Sequence, residues 1–437
     1  MEQLLHWALV MESRAYKDII AFKWEQGPAL AFHARNLEVA EISEQTWSAL
    51  KKTPENDFSA LNELQAWEAE ENAEARPAPR ESHIRTIVIN VTQICNLHCT
   101  YCAAGGDGTY GSAQTKINVE KTLPQLKYFI EKLPPGSRFQ VNFLGGEPLL
   151  YPEGIAEIGN YVKLMTAGKN IHTFFAIVTN GTLITERVLS LFQELKMRVT
   201  VSLDGPAVLN DKVRPTKDGS SSTAKTVDGL AKLSAIKDAL SGLTVHGVFN
   251  KANMNLVEAY YFYRSLNVDS YEFTYGVEER DEDANKAFID QMNKVAQAAY
   301  TYGGEIELRK IGMFNQYFTS LDNQQKTENY CGAGKSLLVV DAKNNLFTCP
   351  WDVGNKQEQV GSGTELIAER LSVYSPPLIE KNNCQSCWAR YLCGGGCMYI
   401  HKQGAHGQNK KDDSFCLRTR SLIRTTLLYY KQSRTSC

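Results

Sequence analysis

The stretch Cys95–Cys102, with the sequence CNLHCTYC, spaces three cysteines as C-x3-C-x2-C shortly after the apolar run Thr86–Val91. Three thiolates on one short loop can hold three irons of a cubane [4Fe–4S] cluster and leave the fourth iron without a protein ligand. A zinc loop or a set of buried core cysteines is the alternative, although zinc sites usually complete one C-x2-C pair with a second pair. The cluster interpretation predicts further ligand-binding motifs downstream of this loop.

Composition sets the broad class of the protein. The 437 residues exceed what one hydrophobic core normally holds, so we expect two or three domains. The contents of 43% hydrophobic and 22% charged residues are ordinary for a globular protein, and a net charge of −2 favours neither nucleic acid nor a membrane as a partner. No apolar run is long enough to cross a bilayer, and the N-terminus is charged, so we expect a cytoplasmic protein. In that reducing compartment the eleven cysteines are better explained as metal ligands than as disulfides.

The first eighty residues show the pattern of a small domain with a sheet and two helices. The predicted strands are Lys17–Trp24, Ala29–Ala34 and Leu37–Ile42, and the predicted helices are 44–52 and 58–71. This winged-helix-like pattern over residues 1–80 resembles the peptide-recognition domain of enzymes that modify ribosomally made peptides, in which a leader peptide adds a strand to the sheet edge. A DNA-binding winged helix is disfavoured because the helices are acidic and lack a basic stripe, while an inert packing extension stays open. Residues 69–82 are predicted to be a linker.

Strand-like and helical segments alternate from residue 84 onward. The six strand-like segments are Thr86–Val91, Phe139–Leu144, Thr173–Val178, Val199–Leu203, Leu243–Phe249 and Tyr271–Tyr275. Six such units predict an α/β fold with a parallel sheet covered by helices. Polar motifs follow the strands, above all the paired glycines of Gly145-Gly146-Glu147, which let backbone groups approach a ligand while a carboxylate faces an ammonium group.

The cluster loop, with Tyr101 before its last cysteine, and the GGE sequence one βα unit later together resemble the radical S-adenosylmethionine (SAM) enzymes. The resemblance implies a partial (β/α)6 TIM-type barrel over residues 83–310. It also implies that Cys95, Cys99 and Cys102 hold a [4Fe–4S] cluster whose open iron binds the amino and carboxylate groups of SAM. One electron then cleaves SAM to a 5′-deoxyadenosyl radical that abstracts hydrogen. The segment Ala103–Gly111 further resembles the Gly-Thr-Tyr segment of radical SAM enzymes that mature ribosomal peptides.

The resemblance also assigns SAM-binding residues. The structural alternative is a strand-end cap for Thr179, Asn180, Ser202 and Arg214 and an ordinary turn for the GGE sequence. The implied cofactor-binding residues are Tyr101, Gly145, Gly146, Glu147, Thr179, Asn180, Ser202 and Arg214. Glu147 would hold the amino group of SAM, whereas Ser202 and Arg214 would contact its ribose or carboxylate, for which a guanidinium offers paired donors. Tyr271, Glu272 and Tyr275 on the last strand could line a substrate channel, although core packing is the favoured explanation for all three. No catalytic base is predicted.

Seven further cysteines lie in the C-terminal region, within the predicted bridging and auxiliary-cluster domain, residues 311–437. The run C-x2-C-x5-C-x3-C, followed by Cys416, resembles the SPASM domain, which carries auxiliary [4Fe–4S] clusters. The implied ligands of the distal cluster are Cys384, Cys387, Cys393 and Cys416, and those of the nearer cluster are Cys331, Cys349 and Cys397. A zinc ribbon built on the first four cysteines of the run is the alternative.

Two positions depart from the SPASM pattern. Leu337 stands where the nearer cluster usually has a fourth cysteine, so that iron is either open to a substrate atom or closed by another side chain. Asn344 replaces a turn glycine and can adopt the left-handed conformation that such a turn needs. The count gives three clusters with ten ligands and leaves Cys437 without a predicted role.

The sequence therefore predicts a radical SAM, SPASM-domain maturase that cross-links a ribosomal precursor peptide through a carbon–carbon bond, as in cyclophanes, or through a thioether. Its expected partners are the precursor peptide, whose leader binds the N-terminal domain, and a flavodoxin or ferredoxin reductant. Nucleic acid and membrane are not expected partners. Two alternatives stay open: a sulfatase-type maturase that forms formylglycine, and a redox-sensing iron–sulfur regulator that binds DNA. The former usually begins close to the cluster loop, whereas here about ninety residues precede it.

Overall fold

A computed structural model describes residues 11–24, 27–52, 61–69, 75–77, 83–102, 115–404 and 411–435. Its contacts divide the chain into two compact units. The terminal unit consists of Met1–Pro79, Asn285–Cys331 and Pro377–Cys437, and the central unit consists of Arg80–Ala284 and Gly332–Pro376. The N-terminal segment thus groups with the C-terminal cysteines, and the three consecutive domains predicted from the sequence stay a prediction. The segment Ala103–Gly111 lies outside the described residues.

The described residues contain strands and helices of very different lengths. The strands are β1 Met11–Tyr16, β2 Ile19–Trp24, β3 Ala29–His33, β4 Glu38–Ile42, β5 Thr86–Thr92, β6 Arg138–Gly145, β7 His172–Thr179, β8 Arg198–Ser202, β9 Gly242–Phe249, β10 Ser270–Tyr275, β11 Leu337–Val340, β12 Asn345–Phe347, β13 Gly361–Ser362 and β14 Glu365–Leu366. The helices are α1 Glu44–Lys52, α2 Asn62–Glu68, α3 Val119–Glu131, α4 Pro152–Ala167, α5 Glu186–Glu194, α6 Ala207–Val213, α7 Thr223–Ala235, α8 Leu256–Ser265, α9 Glu282–Arg309, α10 Gly312–Asp322, α11 Ala368–Ser372, α12 Leu378–Lys381, α13 Arg390–Cys393, α14 Met398–Gly404 and α15 Asp413–Thr435. Of the helices in the described ranges, none has the length and apolar character needed to cross a membrane.

The terminal unit begins with a four-stranded antiparallel sheet in the order β1-β2-β3-β4. Three of these strands were predicted, but β1 was not, and the first predicted strand began at Lys17, which instead lies in the β1–β2 turn with a φ of 51°. The strand β1 escaped prediction because it is a polar edge strand whose central side chains are exposed, so it lacks an apolar alternation. The predicted winged-helix-like domain therefore contains one more strand than the sequence suggested.

Small side chains let two helices pack closely on one face of this sheet. Ala21, Ala29 and Ala31 are buried there against Trp47 of α1 and Leu64 of α2. The opposite face carries larger aromatic residues. The strand period of two thus gives the sheet two buried faces, one of alanines and one of aromatic rings.

The central unit has the α/β architecture that the sequence predicted. Strands β5 to β10 lie side by side in chain order, and every neighbouring pair among them is parallel. All six predicted strands match the observed ones to within one residue at each end. Strand β11 continues the sheet in parallel beside β5, and β12 to β14 extend it by antiparallel pairing. Because the strands are parallel, their C-terminal ends and the loops that follow them lie at one edge of the sheet.

Candidate functional site

The cysteine loop follows β5 and is bonded to the last residue of α6 and to the segment after it. The backbone N–H of His98 donates to the carbonyl of Pro215 over 2.9 Å, and that of Thr100 donates to Val213 over 2.8 Å. All three cysteines of the loop are partly buried. The structure therefore presents the three thiols on a loop that is held at both its middle and its C-terminal half.

The chemistry of the three thiols fits a cationic cluster. Burial, and to a lesser degree the charges of Glu147 and the other two thiols, raise the pKa of Cys95 to about 12. Burial also raises the pKa of Cys99, which the charge of Arg214 partly lowers. Three neighbouring thiolates therefore need a compensating positive charge, which the irons of a [4Fe–4S] cluster would supply. Within the described residues, no three His, Cys, Asp or Glu side chains are arranged for a single metal ion.

The paired glycines at the end of β6 bring the GGE loop against the cysteine loop. A Cβ atom on Gly145, whose φ is +144°, would lie 2.3 Å from the carbonyl oxygen of Thr92, and one on Gly146 would lie 2.1 Å from that of Ile94. The N–H groups of Gly146 and Glu147 donate to these same two carbonyls over 2.9 Å each. Glycine is thus required at both positions, because any side chain would push the two loops apart.

The carboxylate of Glu147 joins the ends of β6 and β7. It is 1% exposed, and its Oε1 accepts hydrogen bonds from the Leu149 N–H at 3.0 Å and the Thr179 hydroxyl at 2.7 Å. Its Oε2 accepts one from the Asn180 N–H at 2.7 Å. Burial raises the pKa of Glu147, and these three donors counteract that shift. The predicted contact with the amino group of SAM would have to use a lone pair that these bonds leave over.

We expect Glu147→Gln to destabilise the protein by about 1–3 kcal/mol, because the new amide NH2 must face a buried hydroxyl or N–H donor and leave it unpaired. Denaturant unfolding of anaerobically prepared protein measures the change. The matched control is Glu157→Gln, which alters an exposed carboxylate on α4 and should leave the midpoint unchanged. Equal midpoints for the two variants would contradict a bridging role for Glu147.

An amide network ties the end of β7 to the cysteine loop. The Asn180 side-chain NH2 donates to Asn96 Oδ1 at 2.8 Å, and the Asn96 NH2 donates to Thr182 Oγ1 at 2.8 Å. The Thr182 hydroxyl donates back to Asn180 Oδ1 at 2.7 Å. The Asn180 NH2 also lies 3.9 Å from the Cys95 sulfur, as expected for a weak hydrogen bond to a cluster ligand. Sequence analysis singled out Asn180 but missed Asn96 and Thr182, whose only signal was proximity to a cysteine and to a strand end.

Tyr101, Asp204 and Arg214 form a buried triad beside the same loop. The Tyr101 hydroxyl donates to Asp204 Oδ2 at 2.7 Å, and Arg214 Nη1 donates to the Tyr101 oxygen at 2.6 Å. Asp204 is fully buried and Arg214 is 8% exposed. Burial raises the pKa of Asp204, while the charge of Arg214 and the Tyr101 hydroxyl lower it. Arg214 was predicted to contact SAM, and the structure shows that at least part of its guanidinium is used within the protein. Asp204 was not among the predicted site residues.

Ser202 ends β8 and completes the set of predicted SAM contacts. The residue before it, Val201, pairs with Thr179 of β7. Ser202 therefore lies at the same sheet edge as Thr179, and the structure brings all the predicted cofactor-binding residues to that edge. Whether each of them touches SAM stays a prediction.

In the terminal unit, four cysteines line one cavity of about 250 Å³. They are Cys384, Cys387, Cys393 and Cys416, the four predicted ligands of the distal cluster. Burial raises the pKa of Cys393 to about 12 and that of Cys416 to about 11, and the neighbouring thiols add to both shifts. Lys411 and Arg420 also line the cavity and favour the thiolate forms of Cys384 and Cys416. The donor set therefore fits a cluster, and Cys416 lines the cavity rather than the Cys397 that a zinc ribbon would use.

The predicted ligands of the nearer cluster are divided between the units. Cys331 and Cys397 belong to the terminal unit, whereas Cys349 belongs to the central unit. The pKa of Tyr330 is raised mainly by its burial and, to a lesser degree, by the charges of Cys397 and Cys331. Leu337, at the position of the missing ligand, begins β11 and packs on a hydrophobic cluster that includes Val88. This set stays a prediction.

Asn344 adopts the left-handed conformation predicted for the turn between β11 and β12. Its φ is 65°. Its side-chain NH2 donates to Thr122 Oγ1 of α3 at 2.7 Å, which fixes the turn against the central unit's own helix. Asparagine therefore takes the backbone conformation that glycine would have at this turn.

Comparison with known proteins identifies the class. Residues 89–258 match the model of the Radical SAM superfamily. An uncharacterised protein of Methanocaldococcus jannaschii is 29% identical over 61% of this chain and 85% of its own length. The radical SAM cyclopropyl synthase TigE of Paramaledivibacter caminithermalis is 24% identical over 78% of this chain and 73% of its own. A cysteine-type anaerobic sulfatase-maturating enzyme of Clostridium novyi is 29% identical over 74% and 89%, respectively.

Solved structures show a similar fold. The structure of anSMEcpe with bound AdoMet has a TM-score of 0.64 at 17% identity and covers 82% of this chain and 98% of that one. Streptococcus suis SuiB bound to its precursor peptide SuiA has a TM-score of 0.51 at 14% identity and covers 92% and 100%. The sequence match, the α/β fold and the cysteine loop define a radical SAM domain. Residues 89–258 are accordingly a domain of the type found in radical SAM enzymes.

Proposed function

We propose that this enzyme matures a ribosomally made precursor peptide by installing an intramolecular cross-link, either a carbon–carbon bond, as in cyclophanes, or a thioether. The observation that carries this proposal is the packing of the N-terminal sheet beside the distal cysteine cavity. Trp388, adjacent to Cys387, packs on Phe22 and Phe32 of the sheet. Its ring centroid lies 5.3 Å from that of Phe22 and 6.2 Å from that of Phe32. A peptide held by that sheet would lie in the same compact unit as auxiliary cysteines. Relatives named as a mycofactocin maturase and as a sulfatase-maturating enzyme support the same class.

We further propose a barrel-like central sheet and auxiliary clusters in the C-terminal region. The six parallel strands in chain order support a partial (β/α)6 barrel, and the four cysteines that line one cavity support the distal cluster of a SPASM-type domain. The second auxiliary cluster, on Cys331, Cys349 and Cys397, is proposed from the cysteine spacing alone. Together with the SAM cluster these make three [4Fe–4S] clusters. When bound, the clusters and SAM would supply one electron and a 5′-deoxyadenosyl radical that abstracts hydrogen, with a flavodoxin or ferredoxin as the reductant.

The chain's own residues hold and orient these groups. The three loop cysteines would ligate the SAM cluster, and Asn180 would stabilise the Cys95 thiolate through its weak N–H···S contact. The backbone N–H of Glu147, bonded to the Ile94 carbonyl, and the Tyr101–Asp204–Arg214 triad fix the loop against the strand ends. Their burial excludes water from the edge of the sheet where a radical would form.

A groove in the terminal unit supports leader binding. It has a volume of about 340 Å³, and it lies between the N-terminal sheet and the helices α9 and α15. Its lining is largely apolar, with one acidic and one basic side chain, and comprises Trp24, Gly27, Pro28, Leu30, Glu41, Tyr300, Leu428, Lys431, Gln432 and Thr435. We propose that an amphipathic leader segment packs here while pairing with an edge of the sheet.

We expect Leu428→Arg to weaken binding of the precursor peptide by about tenfold or more, because a long charged side chain would fill an apolar part of the groove. Fluorescence anisotropy of a labelled leader peptide measures the affinity. Leu164→Arg is the control, since Leu164 is 73% exposed on α4 of the central unit. Unchanged affinity in Leu428→Arg would place the leader elsewhere.

The function is tested with anaerobically reconstituted enzyme, SAM, a reductant and each short peptide encoded by the reading frames that neighbour the gene. We expect 5′-deoxyadenosine and a peptide lighter by two hydrogens, with fragmentation blocked between the two linked residues. No change in peptide mass would exclude this function.

The relative from Clostridium novyi favours a second candidate, formylglycine formation. Oxidation of serine to formylglycine also removes two hydrogens, so mass alone does not separate that product from a cross-link. Conversion of cysteine also replaces sulfur by oxygen and is distinguished by mass. An aldehyde reacts with a hydrazide label, whereas a cross-link does not. Formation of 5′-deoxyadenosine would separate both from an iron–sulfur regulator that binds DNA.

A further inference from the structure

A row of polar side chains lies on one face of the central sheet. Ser202 of β8 pairs in register with His246 of β9, and His246 pairs with Glu272 of β10. Residues in register on parallel strands point to the same face, and neighbouring strands lie about 5 Å apart, so this row spans about 10 Å. All three side chains are half-buried. The row begins at the sheet edge where Thr179 pairs with Val201, beside the candidate SAM site.

The opposite face of the same strands packs against the helices that cover the sheet. Tyr271 and Phe273, which flank Glu272 along β10, are 2% and 0% exposed, and they contact aromatic residues of α8. Core packing therefore explains the residues on either side of Glu272 but not Glu272 itself. The carboxyl group instead lies on the face that carries the predicted SAM contact Ser202.

Polar side chains around Glu272 hydrogen-bond to each other and not to its carboxyl group. The hydroxyls of Thr244 and Ser270, one step down the same face, lie 2.8 Å apart and hydrogen-bond to each other. His246 Nε2 lies 2.8 Å from Thr274 Oγ1. Within the residues that the structure describes, Glu272 has neither a hydrogen bond nor an ion pair. A half-buried carboxyl group without a partner is unfavourable to folding, which suggests a role towards a bound molecule.

The titratable neighbours leave this carboxyl able to take up a proton near neutral pH. On β9, burial and then the charge of Arg214 lower the pKa of His246 to about 4, so its ring stays neutral. Arg214 itself pairs with Tyr101 and Asp204. Burial raises the pKa of Glu272 to about 7. The group is therefore partly ionised near neutral pH.

We propose that Glu272 is the proton acceptor of the cross-linking reaction, a catalytic role that rests on the function proposed above. One C–H bond of the core peptide loses a hydrogen atom to the 5′-deoxyadenosyl radical. The resulting carbon radical forms a bond to a second residue of the peptide, which loses its proton to the Glu272 carboxylate. The surplus electron passes to an oxidised iron–sulfur centre. The peptide thus loses one hydrogen atom, one proton and one electron, a total of two hydrogens.

The holoenzyme variant Glu272→Gln separates proton transfer from SAM cleavage. We expect it to form 5′-deoxyadenosine at about the wild-type rate and to accept deuterium from labelled peptide, while cross-links per 5′-deoxyadenosine fall about a hundredfold. In the wild type this ratio should rise as the pH passes through about 7, and Glu272→Asp should recover part of it. The control is Glu282→Gln, which alters an exposed carboxylate at the start of α9.

A second measurement needs neither SAM nor peptide. Infrared difference spectra of the reconstituted enzyme should show a carboxyl C=O band that titrates near pH 7, persists in Glu282→Gln and is missing from Glu272→Gln. An unchanged ratio of cross-links to 5′-deoxyadenosine in Glu272→Gln overturns this inference and leaves the proposed function standing. Loss of SAM cleavage with intact clusters also overturns only this inference, and it would assign Glu272 to the SAM site. Absence of any cross-link with the wild type overturns the proposed function and this inference with it.

Discussion

The triple variant Cys95→Ala, Cys99→Ala, Cys102→Ala is expected to form no 5′-deoxyadenosine, while it keeps roughly two thirds of the wild-type iron. The reason is that the loop supplies the whole proposed ligand set of the SAM cluster, whereas the auxiliary ligands are other residues. Iron analysis of anaerobically reconstituted protein and chromatography of the nucleoside product provide the two measurements.

Two comparisons make this result specific to the loop. Cys437→Ala removes a cysteine without a predicted role and should change neither the iron content nor SAM cleavage. Replacement of the four cysteines that line the 250 Å³ cavity should remove roughly four irons and leave some SAM cleavage in place. Zinc in place of iron in the wild type, or 5′-deoxyadenosine from the triple variant, would contradict the assignment.

Sequence patterns predicted the central sheet well because its strands obey a strict local rule. In β6, for example, Phe139, Val141 and Phe143 alternate with partly exposed residues, so the period of two marks the strand and its buried face together. The cysteine spacing and the GGE sequence are equally local, and the structure brings both to the same edge of the sheet. Strands and motifs that depend only on neighbouring residues in the sequence were therefore predictable.

The missed features depend on residues that are distant in the sequence. Asp204 accepts a hydrogen bond from Tyr101, which is 103 residues away. No sequence pattern around either residue predicts this contact. Likewise Asn96 and Asn180 are 84 residues apart. Such contacts follow from the order of strands in the sheet, and a single sequence does not contain that order in readable form.

The terminal unit changes how the N-terminal eighty residues should be tested. Asp18 forms an ion pair with Arg390 at 2.5 Å, and Trp388 packs on Phe22 and Phe32. Deleting the N-terminal segment would therefore expose Trp388 beside Cys387 and remove the partner of Arg390. Loss of peptide binding after such a deletion would not distinguish leader recognition from damage to the distal cavity. Point variants in the groove avoid this ambiguity.

Arg214→Met is expected to lower the free energy of unfolding by about 3–5 kcal/mol, because it leaves the buried Asp204 carboxylate without its positive partner. The double variant Arg214→Met, Asp204→Leu should be less destabilised than the sum of the two single changes, since it removes both charges together. Denaturant unfolding of samples with equal cluster content measures all three variants and the wild type.

The same variants test whether the triad positions the cysteine loop. Arg214 is bonded to Tyr101, which precedes the last loop cysteine, so its loss should also lower the yield of intact SAM cluster on reconstitution. Lys251→Met, which breaks the exposed ion pair with Asp281, is the matched control and should change neither stability nor cluster yield appreciably. Additive effects in the double variant would mean that the two charges act independently. In that case the loop would be held mainly by its backbone bonds to Val213 and Pro215.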